Sequence, residues 1–165
     1  MVSTAAARAW EVLESIPDPE IPVVSIRELG ILREIHDKDG GVEVVITPTY
    51  SGCPAMGQIE DDVRAALAAN DIHATVVTRL APAWTTDWIS DEARAKLREF
   101  GIAPPGETAS SNVVRFARKN ACESPACPRC GSEDTTETSH FSSTSCKALY
   151  KCLACLEPFD YFKPY

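Results

Sequence analysis

The sequence has no apolar run approaching the roughly 20 residues that a membrane-spanning helix needs. Its first residues also lack a basic stretch followed by a continuous apolar core. We therefore expect no membrane span and no signal peptide, and we expect the protein to be cytoplasmic. In a reducing compartment its seven cysteines should be thiols or metal ligands rather than disulfides.

Positive charge is scarce as well, since the 24 Asp and Glu residues outnumber the 16 Lys and Arg residues and give a formal net charge of −8. Because nucleic-acid affinity depends on neutralising phosphates with Lys and Arg, we expect no nucleic-acid partner. The sequence also lacks a glycine-rich phosphate loop and a Ser/His/Asp ordering, and its three histidines form no motif. These absences disfavour a true enzyme and favour an accessory role.

The apolar periodicity of the first hundred residues alternates between helical and strand patterns. It predicts a helix, two strands, a helix, a strand and a helix at 4–15, 31–36, 42–47, 55–69, 73–80 and 91–100. The segment DKDGG favours a hairpin between the first two strands. We therefore predict an α+β domain over 1–102, a linker rich in Pro, Gly and Ser over 103–121, and a cysteine-rich module over 122–165.

Two CxxC pairs dominate the C-terminal module. Cys127 and Cys130 form one pair and Cys152 and Cys155 the other, with 21 residues between them. Each pair can bind one tetrahedral metal ion from a tight turn, and Gly131 suits such a turn. Because the module is too small to bury a core of its own, metal binding would stabilise it. We therefore predict a zinc ribbon in which these four thiolates hold a structural zinc ion.

An iron–sulfur cluster is the alternative for this module. The spacing from Cys122 to Cys127 and Cys130, followed by a distant cysteine, is typical of plant-type [2Fe–2S] proteins. If the module binds zinc instead, Cys122 and Cys146 are left as additional thiols.

Cys53 stands alone in the first domain, within TPTYSGCPAM. Pro54 suits the first position of a helix, so Cys53 is expected at the N-cap, where unpaired amides and the helix dipole favour a thiolate. The alternative is a small buried apolar residue. Asp18 and Glu20 lie in DPEIP, where they are either functional carboxylates or solvated acids at a helix end.

Three segments resemble the MIP18-like family (domain of unknown function 59) of iron–sulfur assembly factors. They are DPEIPVVSIRELGILR at 18–33, TPTYSGCPAM at 47–56 and LAPAWTTDWI at 80–89. The resemblance carries the family's DPE loop and Thr-x-x-x-x-Cys-Pro segment onto Asp18, Pro19, Glu20, Thr49, Cys53 and Pro54. It implies that Cys53 transiently holds or relays iron or an iron–sulfur cluster. It also implies that Asp18, Glu20 and Thr49 complete the site or shape a partner surface.

The C-terminal module resembles the tail of the phenylacetate-degradation D family, small accessory proteins encoded with the phenylacetyl-CoA epoxidase. The matching element, S-T-x-C-K-A-L-Y, covers residues 143–150, although Ser142 stands where glycine is expected. This resemblance implies that the epoxidase components are the partners. These components are a reductase with a [2Fe–2S] cluster and an oxygenase with a di-iron site, and the resemblance implies that the reductase is the favoured client.

Three functions are consistent with these features. The first is a maturation factor for the iron–sulfur or iron centres of the epoxidase. The second is a working subunit of the epoxidase complex or a thiol-dependent catalyst, which is disfavoured because no base lies near Cys53 in sequence. The third is a zinc-ribbon adaptor that binds protein. A homodimer is left open.

Overall fold

The computed structural model describes residues 4–106 and 124–164. Contacts divide the chain into two compact units, Met1–Ala93 and Arg94–Tyr165. Among the described residues, no helix is long and apolar enough to cross a membrane. The mixed α+β class predicted from the sequence is confirmed.

A three-stranded sheet packed against two helices forms the first unit. Its elements are α1 (Ala5–Leu13), β1 (Leu32–Lys38), β2 (Gly41–Ile46), α2 (Met56–Ala68), β3 (Ala74–Thr78) and a 3₁₀ turn (Thr86–Trp88). The strands β1 and β2 pair antiparallel across the predicted hairpin. The strands β2 and β3 pair parallel, with α2 as the crossover between them.

The helices bury the apolar stripes that the sequence predicts. On α1 the buried residues are Ala9 and Leu13, and on α2 they are Ile59, Val63 and Leu67. Both helices contact the sheet and each other. The apolar residues of β2 are buried, which makes this layer the core of the first unit.

A third helix, α3 (Asp91–Phe100), spans the division between the two units. Ser90 caps its beginning, because the Ser90 Oγ accepts a hydrogen bond from the Ala93 amide at 3.1 Å. Gly101 ends it with a φ of +92°, a conformation that suits glycine.

The second unit contains a four-stranded sheet in the order β4-β7-β6-β5. Its strands are β4 (Ile102–Ala103), β5 (Thr135–Ser139), β6 (Lys147–Cys152) and β7 (Pro158–Phe162). One buried cluster of this unit includes two of the cysteines: it consists of Ala103, Cys127, Ala148, Tyr150, Cys152 and Phe159. Because two residues of this cluster are also candidate metal ligands, metal binding would stabilise the packing around them.

The start of the predicted linker is corrected by this sheet. Ala103, its predicted first residue, is buried and pairs with Tyr161 in parallel register. A strand of two residues is too short to leave a periodic pattern, so the sequence could not reveal it. Residues 107–121 of the linker, and Cys122, lie outside the described residues. The predicted domain bounds therefore stay predictions beyond this point.

Candidate metal centre and thiol site

The four cysteines of the CxxC pairs form one compact cluster. The Sγ atoms of Cys127 and Cys155 are 3.8 Å apart and those of Cys130 and Cys152 are 3.6 Å apart. All four Sγ atoms lie within 4.8 Å of one another. Zinc–sulfur bonds of about 2.3 Å in a tetrahedron place the sulfurs about 3.8 Å apart. The donor set and its spacing therefore fit a structural zinc ion.

Two similar turns position these thiols. In the first turn, the Gly131 amide donates to the Cys127 carbonyl at 2.8 Å. In the second turn, the Cys155 amide donates to the Cys152 Sγ at 3.4 Å. The residue after each pair has a left-handed backbone, with φ of +75° at Gly131 and +66° at Leu156. This bend turns backbone amides toward the sulfurs, which accept weak hydrogen bonds.

The thiols of the cluster differ in acidity because of these contacts. The hydrogen bond from the Cys155 amide lowers the pKa of Cys152 to about 7. At Cys155 the Glu157 amide lowers the pKa, but burial and the neighbouring sulfurs of the cluster outweigh it and raise the pKa to about 12. Four sulfurs this close repel one another as thiolates. A divalent cation relieves that repulsion, so the site favours a metal ion over four neighbouring anions.

Cys146 does not belong to the cluster. It is 3% exposed, and its Sγ lies 3.0 Å from the Thr144 Oγ1. The alternative [2Fe–2S] ligand set requires Cys122, which lies outside the described residues. The four described ligands are sufficient for zinc without either thiol, which supports the zinc prediction.

Ser142, the departure from the expected glycine, has a specific partner. Its hydroxyl donates to Asp160 Oδ1, and the other carboxylate oxygen of Asp160 lies 3.3 Å from the ammonium of Lys147. Lys147 is 5% exposed, whereas the side chain of Asp160 is 25% exposed. Glycine could not supply the hydroxyl, and serine therefore adds a hydrogen bond to the carboxylate that pairs with a buried lysine.

The topology of the first unit brings its three motif segments to one edge of the sheet, namely the edge where β2 and β3 end. The segment 18–33 leads into β1, while TPTYSGCPAM follows β2 and LAPAWTTDWI follows β3. Because β2 and β3 are parallel, their C-terminal ends lie at the same edge. Because β1 is antiparallel to β2, its beginning lies there too.

Backbone hydrogen bonds fix this arrangement. The Thr47 amide donates to the Ile31 carbonyl at 2.8 Å, and the amide of Ile31 donates to the carbonyl of Ile26 at 2.9 Å. The Ile26 amide in turn donates to the Ile16 carbonyl at 2.9 Å. The DPEIP loop is therefore tied to the end of β2, from which the Cys53 loop begins.

Asp18 shapes the DPEIP loop. It is 5% exposed, and its Oδ1 accepts hydrogen bonds from the amides of Glu20 at 2.9 Å and Ile21 at 2.8 Å. This is an Asx turn that satisfies two backbone donors. Glu20 is half-buried. The structure thus gives Asp18 a role in holding the loop, while the predicted relay roles of Asp18 and Glu20 stay predictions.

Cys53 is half-buried in the loop before α2. Its amide donates to the Tyr50 carbonyl at 3.2 Å, and its carbonyl accepts from the Met56 amide at 3.4 Å. The helix begins at Met56 with Ala55 as its N-cap, so the predicted N-cap position of Cys53 is wrong. The chain makes a turn over residues 53–56 before the helix starts, which moves the cap two residues along.

The third segment is fixed to the first by its tryptophans. The Trp84 Nε1 donates to the Leu29 carbonyl at 2.9 Å. A Cβ on Gly30, which has a φ of +73°, would lie 2.6 Å from the Trp88 Cβ, so only glycine permits this approach. The guanidinium of Arg33 lies 3.5 Å from the centroid of the Trp88 ring. Trp84 is 5% exposed and therefore belongs to the core of this unit.

Buried hydroxyl groups are a feature of this edge, and of the three only Thr49 was named as a site residue from the sequence. Thr49 is 8% exposed, Thr47 is 2% exposed and Thr86 is fully buried. Among the described residues, no buried side-chain nitrogen or oxygen lacks a hydrogen-bond partner. For Thr49 the signal is the Thr-x-x-x-x-Cys-Pro segment, whereas Thr47 directly after β2 and Thr86 at the start of the 3₁₀ turn are in positions where threonine is also common in ordinary loops.

Comparisons with known proteins agree with both parts of this description. Residues 6–78 match the family model described as an iron–sulfur cluster assembly protein, and residues 111–163 match the PaaD zinc beta ribbon domain. A protein of Escherichia coli K12, provisionally named as one of the subunits of 1,2-phenylacetyl-CoA epoxidase, is 47% identical over 93% of this chain and 90% of its own length.

Shorter relatives match the first unit. The Fe-S protein maturation auxiliary factor YitW of Bacillus subtilis is 35% identical over 48% of this chain and 76% of its own length. The auxiliary factor SufT of Staphylococcus aureus is 37% identical over 48% of this chain and 93% of its own length. A crystal structure of a DUF59 domain from Bacillus anthracis is similar with a TM-score of 0.52 and 29% identity, covering 56% of this chain and 91% of the other.

Proposed function

Because this chain belongs to the PaaD family, with an iron–sulfur assembly domain and a zinc ribbon, we propose that it is an accessory maturation factor. Its clients are the iron–sulfur or iron centres of a phenylacetyl-CoA 1,2-epoxidase complex. The favoured client is the reductase with its [2Fe–2S] cluster. In this proposal the chain turns over no small molecule itself.

One observation carries the proposal. The Cys53 loop, the DPEIP loop and the TTDW segment meet at one edge of the sheet, in the part of the chain that matches the maturation auxiliary factors. A half-buried thiol is accessible enough to take up a metal cargo and protected enough to hold it briefly. The hydrogen-bonded framework around Ile26 and Ile31 holds these loops in place.

The ribbon has a separate task in this proposal, namely docking the client. The second metal-binding turn exposes two leucines, Leu153 at 47% and Leu156 at 64%. Exposed apolar side chains on a rigid, metal-held turn are suited to contact another protein. This feature favours an adaptor function for the ribbon, which would operate together with the thiol site rather than instead of it.

The test uses cells that produce the epoxidase together with the Cys53→Ser variant. The reductase purified from them should contain substoichiometric iron and sulfide, because the relay thiol is missing. Cys146→Ser is the matched control, since Cys146 lies outside both sites, and it should leave the reductase cluster intact. Unchanged zinc content and circular dichroism of each variant show that it is folded.

A second arm separates maturation from participation in turnover. Reductase and oxygenase that already contain their metal centres should support epoxidation without this chain. If these components need the chain for every turnover, it is a working subunit of the complex. If the reductase made beside Cys53→Ser has a full cluster, the proposed role of Cys53 is wrong.

A further inference from the structure

The two outer strands of the three-stranded sheet, β1 and β3, differ in their protection against pairing with a strand of another chain. The edge strand β1 contains a register irregularity between Leu32 and Glu34. It also has charged or titratable side chains at Arg33, Glu34, His36, Asp37 and Lys38. Charges and bulges are the usual devices that keep an edge strand from pairing. The edge strand β3, with the sequence ATVVT, has no charge, no proline and no bulge.

The outer edge of β3 is open to a partner. Within residues 4–106 and 124–164, no strand pairs with this edge. Four of its five residues are β-branched, the type that suits a strand with a neighbour. Val77, the fourth of the five residues, is 37% exposed. An uncharged edge of this kind is a template for adding a strand.

The two ends of β3 differ in shape. Leu80, just beyond its C-terminal end, is 58% exposed. At its N-terminal end lies an open depression of about 460 Å³, lined by Arg64, Ala68, Asp71, Ile72, His73 and Ala74. When the strand meets an antiparallel copy of itself, the projecting leucine of each copy lies at the other's depression, where Ala68, Ile72 and Ala74 are the apolar residues beside Arg64, Asp71 and His73.

We propose that two copies of the chain associate through β3, paired antiparallel about a two-fold axis at Val77. In this register Val77 faces its own counterpart, and Leu80 of each copy faces Ala74 of the other. Leu80 thereby enters the depression at the N-terminal end of the second copy's β3. The two three-stranded sheets become one sheet of six strands, and this inference does not depend on the proposed function.

The charges near β3 are compatible with this contact. Arg79, which would face Thr75 of the second copy, is already paired with Glu34 of its own chain at 2.9 Å. Glu60, which accepts a hydrogen bond from the Thr78 hydroxyl at 2.9 Å, is paired with Arg64 of its own chain at 3.0 Å. Each of these charges near the axis therefore has an opposite charge in its own copy, which limits the repulsion between like charges there. Each chain has a formal net charge of −8, so the two copies repel one another at long range. We expect a weak dimer that high salt strengthens, because salt screens this repulsion.

Sedimentation analysis of the full zinc-loaded chain tests the association over about 1 to 200 µM, a range that suits a small interface. The mass should approach twice that of the 17.9 kDa chain at the upper end. The Val77→Lys variant places two ammonium groups at the axis and should weaken the dimer at least tenfold. Leu153→Lys, an equal change at an exposed apolar residue elsewhere, should not. A monomer throughout the range, or a dimer insensitive to Val77→Lys, overturns the proposal.

The register has its own test in Val77→Cys and Thr75→Cys. Opposed Cα atoms of an antiparallel pair lie about 4.5–5.5 Å apart, within reach of a disulfide. The two copies of residue 77 meet this condition, whereas the two copies of residue 75 would lie about 13 Å apart. In a glutathione disulfide buffer, Val77→Cys should give a covalent dimer on a non-reducing gel above the background of the natural chain. Equal dimer from both variants overturns the register.

Discussion

Gly131 and Leu156 occupy the same position in the two metal-binding turns, directly after the second cysteine of each pair, and both have a left-handed backbone. Glycine adopts this conformation without steric cost, whereas for leucine it costs about 1–2 kcal/mol. Leu156 is 64% exposed, so burial does not offset this cost. The second turn is therefore strained at a residue that contributes little to the core.

This difference predicts opposite effects of two substitutions. Leu156→Gly should stabilise the metal-bound ribbon by up to about 1 kcal/mol, because relief of strain outweighs the greater freedom of the unfolded chain. Gly131→Ala should destabilise it by about 1 kcal/mol. The added Cβ meets no atom within 4 Å, so the effect is purely one of backbone conformation. Thermal unfolding of the zinc-loaded chain measures both, and a destabilising Leu156→Gly would contradict the argument.

The metal site predicts one zinc ion per chain. Cys130→Ser should lower zinc affinity by at least about 100-fold, since it removes a ligand rather than an outer partner. It should also unfold the ribbon, because binding and folding form one equilibrium. Cys146→Ser should keep full zinc, since Cys146 lies outside the cluster. Elemental analysis of freshly purified protein is the measurement, and iron in place of zinc would support the [2Fe–2S] alternative.

The sequence predicts the metal-binding turns well because the residues that determine each turn are close together in the sequence. Each CxxC pair and its following residue fix a turn within five positions, and Gly131 indicates the bend in the first of them. The hairpin DKDGG is likewise local, and it was predicted correctly. The cap at Ser90 is local as well, because it joins residues only three positions apart. Leu156 shows the limit of this reasoning, because leucine gives no sign of a left-handed backbone.

Long-range contacts explain what the sequence could not predict. The pairing of Ala103 with Tyr161 joins residues 58 positions apart in sequence, through only two residues of strand. The start of α2 was misplaced because Pro54 fits a turn as well as the first helical position. The meeting of the motif segments at one edge depends on the parallel pairing of β2 and β3, which periodicity does not reveal.

Cys53 should be alkylated faster than Cys146 in the folded protein. Cys53 is half-buried in a loop, whereas Cys146 is 3% exposed and lies beside the Thr144 hydroxyl. Since Cys53 is not the N-cap, exposure rather than the helix dipole carries this prediction. Limited alkylation at neutral pH with peptide mapping gives the order, and labelling of Cys53 only after denaturation would contradict it.

Asp18 should matter for the stability of the first unit through its hydrogen bonds. Asp18→Ala leaves the amides of Glu20 and Ile21 without their side-chain acceptor. At a side chain that is 5% exposed, this loss should cost about 1–3 kcal/mol. Asp18→Asn keeps an oxygen acceptor and should cost less. Urea unfolding of both variants, with Glu20→Ala as the comparison at a less buried acid of the same loop, measures the difference.

The same pair of variants separates the structural role of Asp18 from its proposed role in the relay. Asn retains the acceptor for the two amides but has no negative charge, so it keeps the loop and lowers affinity for a cationic metal cargo. If Asp18 only holds the loop, Asp18→Asn should support normal cluster content in the reductase. If its charge serves the relay, Asp18→Asn should be nearly as stable as the natural chain and yet produce a reductase with substoichiometric cluster. Iron and sulfide per reductase, measured beside the unfolding midpoint of each variant, distinguish these outcomes because stability and cluster content then change independently.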